Sequence, residues 1–127
     1  MAKATGLGGV FLRARSPQAL YAWYAQHLGL PPAGEGGFVL STEGQHAPIA
    51  FAFFPQDADY FPTSQPAMIN FQVDDLDALL DRLVAAGVEV DSRREACDFG
   101  KFGWFVDPEG NRVELWQPPE EQASEHS

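Results

Sequence analysis

The sequence predicts an α+β domain made of two units with the same order, each a strand, a helix and a group of strands. Short runs rich in aromatic and β-branched residues are separated by Gly and Pro turn signals, and two longer runs have helix caps. An offset of 75 − 16 = 59 residues aligns Ser16 with Asp75 and "LRARSPQAL" with "FQVDDLDAL". Both segments have Ala-Leu three residues after the cap, which favours an internal duplication.

The first unit opens with a strand over Gly8–Ala14, followed by a helix with Ser16 as its N-cap. Pro17 suits the first helical position, where no backbone N–H is needed, and Gly29 marks the end of the helix. The strand-like runs that complete this unit are Phe38–Thr42 and Pro48–Phe54.

A loop with three prolines and two aspartates, "PQDADYFPTSQP", separates the two units. The second unit begins with a strand over Met68–Val73 and a helix that Asp74 or Asp75 caps and Gly87 ends. A strand, "VEVDSR", follows. The final segment, "FGWFVDPEGNRVELWQPP", predicts a hairpin that turns on "DPEG".

Length and composition indicate one domain over residues 1–118, with modules at about 6–55 and 66–118 and a disordered polar tail over 119–127. No apolar run is long enough for a membrane span, the N-terminus lacks the apolar core of a signal peptide, and Cys97 is the only cysteine. These features predict a cytoplasmic protein without an internal disulfide. The formal charge of −10 argues against nucleic acid and anionic membranes and favours cationic small molecules.

Strand alternation predicts which side chains share a face of the sheet. Ile69, Phe71 and Val73 are expected to lie under the helices, while Phe11 and Arg13 point to the opposite face. That opposite face mixes aromatic and polar groups, which is typical of a ligand pocket, although a second core layer or a subunit interface is the alternative. The candidate ligand-binding residues are Phe11, Arg13, Phe51, Phe53, Met68, Asn70, Gln72, Trp104, Arg112, Glu114 and Trp116.

The repeated order of elements, the ending "DPEGNRVEL" and a helix with "WY" followed by "HLGL" carry a family resemblance. From about Gly6 to Pro118 the chain resembles the vicinal oxygen chelate superfamily, which contains glyoxalase I, extradiol dioxygenases, fosfomycin-resistance enzymes and bleomycin-resistance proteins. The resemblance implies a glyoxalase-like fold, in which two βαβββ modules form a curved mixed sheet around a cavity. It also implies pairing of two chains, so we expect a homodimer.

Enzymatic members of that superfamily hold a divalent metal with His, Glu or Gln from equivalent strands of the two modules. The resemblance places one such ligand at Glu114 and the others at Gly9, Met68 and near Phe51. Gly, Met and Phe side chains do not bind a hard divalent cation, and of the three histidines only His46 lies near a predicted strand. The sequence therefore predicts no metal ligand set and no cofactor.

The leading hypothesis from the sequence is metal-independent binding of a small cationic or aromatic molecule, as bleomycin-resistance proteins sequester a drug. Glu114 would be the polar anchor. The alternative is a metal-free isomerase or epimerase in which Glu114, with its pKa raised by apolar walls, acts as general base. Arg13 or Arg112 would then stabilise an enolate or pair with Glu114. Two further hypotheses are a metal-dependent lyase or dioxygenase and an interaction module with a filled core.

Overall fold

The computed structural model describes residues 1–28, 32–34, 37–40 and 48–119. The predictions for Gly29, Thr42, His46 and the tail beyond Pro119 lie outside these ranges. Of the helices described, none has the length and apolar character needed to cross a membrane. The helices and strands in chain order are β1 (Ala4–Ala14), α1 (Pro17–Leu28), β2 (Phe38–Leu40), β3 (Ile49–Pro55), β4 (Ala67–Val73), α2 (Leu76–Ala85), β5 (Glu89–Val90), β6 (Glu95–Cys97), β7 (Gly100–Val106) and β8 (Arg112–Gln117).

The strands form one mixed sheet in the order β2-β3-β1-β4-β8-β7-β5, with β6 paired to β7. Strand β1 runs parallel to β3, and β4 runs parallel to β8, so each unit repeats the same pairing. The two units meet at the antiparallel pair β1 and β4. The predicted α+β class with a curved mixed sheet is confirmed.

Local sequence signals explain where the helices begin and end. Helix α1 starts after Ser16, whose hydroxyl accepts a hydrogen bond from the Ala19 N–H at 3.3 Å. Asp75 caps α2 in the same way, accepting from the Ala78 N–H at 3.1 Å. Gly87 follows α2 with φ +84°, a conformation that favours glycine. The predicted caps are confirmed, with Asp75 rather than Asp74 at the N-cap.

Each helix covers only its own part of the sheet. Helix α1 packs on β1 and β3, and α2 packs on β5, β7 and β8. Val73 is buried in the cluster around α2, but Ile69 and Phe71 are each 37% exposed. The prediction that all three lie under the helices is therefore wrong for Ile69 and Phe71, because the helices pack mainly on other strands of the sheet.

The face prediction for β3 also needs correction. Phe53 belongs to the core cluster that faces α1, and Phe51 packs against the same cluster. Phe53 stacks on Tyr21 with ring centroids 4.5 Å apart. The alternate residues Ala50 and Ala52 take the face of Phe11, which lies opposite Ala52 in the register of β1 and β3. Phe51 and Phe53 therefore do not share the face of Phe11.

The predicted strand "VEVDSR" is shorter in the structure and is followed by the unpredicted strand β6. The chain turns after Val90 because the Asp91 carboxylate accepts a hydrogen bond from the Arg93 N–H at 2.9 Å. The final hairpin turns where expected, since the Asp107 carboxylate accepts from the N–H groups of Glu109 and Asn111.

Candidate functional site

A cavity of about 430 Å³ lies against the face of the sheet that carries Phe11, Asn70 and Glu114, and Tyr21 of α1 also contributes to its lining. This volume falls in the range of roughly 300–1,000 Å³ found for small-molecule sites. Its walls are largely aromatic, and its polar side chains among the described residues include Tyr60, Asn70 and Glu114. The aromatic wall includes Phe11, Phe54, Phe99, Phe102 and Trp116.

Glu114 lies at the floor of the cavity with its carboxylate held by three donors. The sheet register places Asn70 of β4 and Trp104 of β7 directly beside it. The Asn70 amide donates to Oε1 at 2.5 Å, and the Trp104 indole donates to Oε2 at 3.0 Å. The Tyr60 hydroxyl, from the loop before β4, also donates to Oε2. The sheet thus buries one acid among hydrogen-bond donors.

Burial sets the electrostatics of this group. The Glu114 side chain is 2% exposed, and desolvation raises its pKa above the usual value for glutamate. The hydrogen bonds from Tyr60, Asn70 and Trp104 and the charge of Arg112 lower the pKa, but burial is the larger effect. The pKa of Tyr60 is raised, first by burial and then by the negative charge of Glu114. Tyr60 therefore stays protonated as a donor.

Asn70 carries an acceptor that has no partner. The residue is 2% exposed, and its Oδ1 atom makes no hydrogen bond within the described structure. This oxygen occupies the space above Gly8, because a Cβ built at Gly8 would lie 1.7 Å from it. The register of β1 and β4 shifts between Leu7 and Gly9 at this point. A residue without a side chain at position 8 is thus needed to admit the Asn70 amide.

The loop that supplies Tyr60 is fixed by Arg13. The guanidinium donates to the carbonyls of Gln56, Ala58, Phe61, Pro62 and Gln65 at 2.5–3.1 Å. It also stacks over the Phe61 ring, 4.2 Å from the centroid. Arg13 thus acts on the loop backbone and does not line the cavity.

Arg112 lies behind the cavity, on the other side of Trp104. It donates to the Tyr60 carbonyl at 3.1 Å and to the Asp91 carboxylate at 3.0 Å. With Arg93 it lines a separate, more polar cavity of about 480 Å³. The predicted pairing of Arg13 or Arg112 with Glu114 is absent from the described contacts, because backbone carbonyls and Asp91 hold both guanidinium groups.

The structure distributes the other predicted residues over three places. Phe11, Asn70, Glu114 and Trp116 line the cavity, and Phe53 reaches its edge from the α1 side. Met68 and Trp104 are buried beneath it. Phe51 lies on the helix side, and Gln72 is buried while donating to the carbonyls of Leu7 and Pro48.

Sequence reasoning missed Tyr60, Phe54, Phe99 and Phe102. Phe102 could have been found, because it alternates with Trp104 along one strand of the hairpin and so faces the same side. Tyr60 lies in a proline-rich loop without periodicity, so no pattern in the sequence points to it.

The family comparison agrees with this architecture. Residues 6–115 match the model of the Glyoxalase/Bleomycin resistance protein/Dioxygenase superfamily. The chain belongs to this superfamily. A curated relative in Mycobacterium tuberculosis and Mycobacterium bovis, named "Putative glyoxylase CFP32", is 34% identical over 89 residues. The match covers 68% of this chain but 33% of the relative, so the chain spans about a third of its length.

Two solved structures have a similar fold. A methylmalonyl-CoA epimerase from Mycobacterium tuberculosis is 22% identical with a TM-score of 0.67, covering 95% of this chain and 93% of that chain. A Mn(II)-bound glyoxalase from Novosphingobium aromaticivorans is 23% identical with a TM-score of 0.66, covering 92% of this chain and 40% of that chain. These identities show a common fold.

The residues that the structure describes do not fit the divalent metal that the superfamily resemblance implies. Over the described ranges, no three His, Cys, Asp or Glu side chains lie together in a way that could hold a metal ion. At the expected ligand positions, Gly9, Phe51 and Met68 accompany Glu114. The three groups that contact Glu114 donate hydrogen bonds to its carboxylate, so they point hydrogens and not lone pairs at it. A divalent cation needs several oxygen or nitrogen atoms that offer lone pairs.

Proposed function

We propose that this superfamily member binds a small organic molecule in the aromatic cavity without a metal, and that Glu114 anchors the ligand. One observation carries the proposal: a carboxylate, 2% exposed, lies at the floor of a cavity of about 430 Å³ whose walls are largely aromatic. Such walls supply apolar contact area, and one polar group supplies orientation.

The Glu114 carboxylate can accept a further hydrogen bond from a ligand. A carboxylate has about four acceptor positions, and Glu114 uses three of them. Among the described residues, Oε2 accepts from Tyr60 and Trp104 and Oε1 accepts only from Asn70, so Oε1 retains an acceptor position within these ranges. A cationic ligand would also compensate the buried negative charge, which favours basic molecules over neutral ones of the same shape.

Calorimetric titration with basic aromatic probes tests this proposal. Glu114→Gln keeps the size of the side chain and removes its charge, so we expect it to weaken binding by roughly 1–3 kcal/mol. Glu89→Gln is the matched control, because Glu89 is an exposed strand residue outside the cavity. If Glu114→Gln binds every probe as tightly as the parent and the control do, the anchor role is lost.

The raised pKa of Glu114 supports a second candidate, a metal-free enzyme in which Glu114 moves a proton from carbon. A structurally similar protein is a methylmalonyl-CoA epimerase, although the identity of 22% shows the fold alone. Incubation of carbon acids in deuterated water would show label uptake if Glu114 acts as the base. Label uptake that survives Glu114→Gln would contradict this candidate.

A further inference from the structure

We propose that the ligand is a planar cation with two N–H donors, such as an amidinium or a protonated aminopyridine. One N–H would bind Glu114 Oε1 and the other Asn70 Oδ1. This inference rests on the proposed binding function and specifies the chemical class of the ligand. It makes Asn70 the residue that selects for N–H donors over other cations of equal charge.

The first observation is the unpartnered oxygen of Asn70. Buried polar groups are almost always hydrogen-bonded, and leaving one unsatisfied is unfavourable. Asn70 is 2% exposed and lines the cavity, yet Oδ1 finds no donor among the residues that the structure describes. Gly8 leaves room for this oxygen, since a Cβ there would displace it. This buried oxygen lies beside Gly8, which also lines the cavity, so a donor on a ligand that reaches Gly8 can satisfy it.

The charge of Glu114 explains why the amide has this orientation. Asn70 Nδ2 donates to Glu114 Oε1 at 2.5 Å. Rotating the amide by half a turn would place Oδ1 against the carboxylate, where two acceptors repel each other. As long as Glu114 is ionised, Asn70 therefore presents Oδ1 as an acceptor. Oε1 accepts from the same amide group that carries Oδ1, so both acceptors belong to the hydrogen-bonded pair of Asn70 and Glu114.

Two aromatic rings in the wall of the same cavity are parallel to each other. Phe102 and Trp116 are cross-strand neighbours whose ring planes differ by 1°, with centroids 6.1 Å apart. The Trp116 indole donates to the Phe99 carbonyl at 2.7 Å, which fixes the orientation of the ring. Two parallel rings in the cavity wall offer aromatic faces and edges with which a flat cation gains stacking and cation–π contacts. The geometry thus favours a planar cation over a bulky one.

Two probes with equal charge separate N–H donation from charge attraction. Benzamidinium has a ring and an N–H array, whereas phenyltrimethylammonium has a ring and a positive charge but no N–H group. We expect calorimetry on the full chain to show tighter binding of benzamidinium, by about tenfold to a hundredfold, the usual effect of hydrogen bonds between charged groups.

Asn70→Leu tests the role of the amide oxygen. This variant also removes a donor from Glu114, an indirect effect that acts on both cations alike. If Oδ1 accepts a hydrogen bond from the ligand, Asn70→Leu should reduce the affinity for benzamidinium by about tenfold more than the affinity for phenyltrimethylammonium. Asn70→Ala provides the same comparison if the leucine variant does not fold, and thermal denaturation reports the folding of each.

The outcomes distinguish this inference from the proposed function. If both cations bind equally well to the parent, or if Asn70→Leu changes both affinities by the same factor, the two-donor ligand class is overturned. The binding function still stands in that case, provided that Glu114→Gln weakens both cations. If neither cation binds to the parent chain, both this inference and the cationic anchor at Glu114 are overturned.

Discussion

Replacing Glu114 by glutamine should stabilise the fold at neutral pH and have little effect in acid. The carboxylate is buried, and desolvation raises its pKa, so the ionised form is unfavourable in the folded chain. Glutamine has nearly the same shape. Its carbonyl oxygen can accept from Tyr60 and Trp104, as Oε2 does now. Its amide can donate to Asn70 Oδ1, the unpartnered acceptor, once the Asn70 amide rotates.

The size of the effect follows from two opposing contributions. Ionising a buried carboxylate costs several kcal/mol, which the substitution removes. Tyr60 and Trp104 then donate to a neutral acceptor in place of a charged one, and each of these bonds loses roughly 0.5–1 kcal/mol, the difference between charged and neutral hydrogen bonds. The charged bond from Asn70 is replaced by a neutral bond in the opposite direction, with a similar loss. Because burial outweighs these hydrogen bonds in the pKa of Glu114, we expect a net gain of about 1–2 kcal/mol. For a chain of this length that gain raises Tm by roughly 3–10 °C.

The pH dependence has a definite sign. With a raised pKa, the folded chain keeps the Glu114 proton to a higher pH than the unfolded chain does. The contribution of Glu114 to stability is therefore full below the unfolded pKa of about 4.3 and falls as pH rises through the folded pKa. The lowered pKa values of Asp74, Asp77, Asp91 and Asp107 act in the opposite direction, but they are common to both proteins and cancel in the difference.

Urea denaturation of the parent, Glu114→Gln and the control Glu89→Gln between pH 4 and pH 8 measures this difference. The gain of Glu114→Gln should be near zero at about pH 4 and largest at about pH 8, while Glu89→Gln should stay within about 0.5 kcal/mol of the parent throughout. A Glu114→Gln variant that is less stable than the parent by the same amount at every pH would refute the reasoning. The carboxylate would then contribute through its hydrogen bonds and not be disfavoured by burial.

Three further predictions follow from the same structure. Purified protein should contain no stoichiometric divalent metal and should not turn over the hemithioacetal of methylglyoxal and glutathione; elemental analysis that finds about one nickel, zinc or iron per chain would contradict this. Arg13→Lys should destabilise the fold by roughly 2–3 kcal/mol in urea denaturation, because an ammonium group cannot reach five carbonyls, whereas the exposed control Arg15→Lys should change little; equal losses would contradict the loop role of Arg13. Light scattering should give twice the chain mass of 13.9 kDa, because Ile69 and Phe71 leave apolar surface on the sheet; the monomer mass would count against the dimer.

Most elements of the fold could be predicted because their signals are local. Ser16 and Asp75 cap helices by bonding to N–H groups three residues away, and Asp107 turns the last hairpin through its near neighbours. Glu114 could be singled out because a charge in an apolar strand is unusual. It was harder to predict which face of a strand packs against the helices. Alternation groups Phe51 with Phe53 but does not say which side of β3 meets the helix, and that choice was wrong.

The sequence by itself determined the superfamily fold, the order of its strands and helices apart from β6, and the position of the acid in the last strand. The tertiary structure decided what surrounds that acid. Tyr60, Asn70 and Trp104 are 54, 44 and 10 residues away from Glu114 along the chain, and they reach it through a loop and two neighbouring strands. The same holds for Gly8, whose missing side chain leaves space for the Asn70 oxygen. A hydrogen bond depends on distances of a few tenths of an ångström, and only the register of the folded sheet sets these.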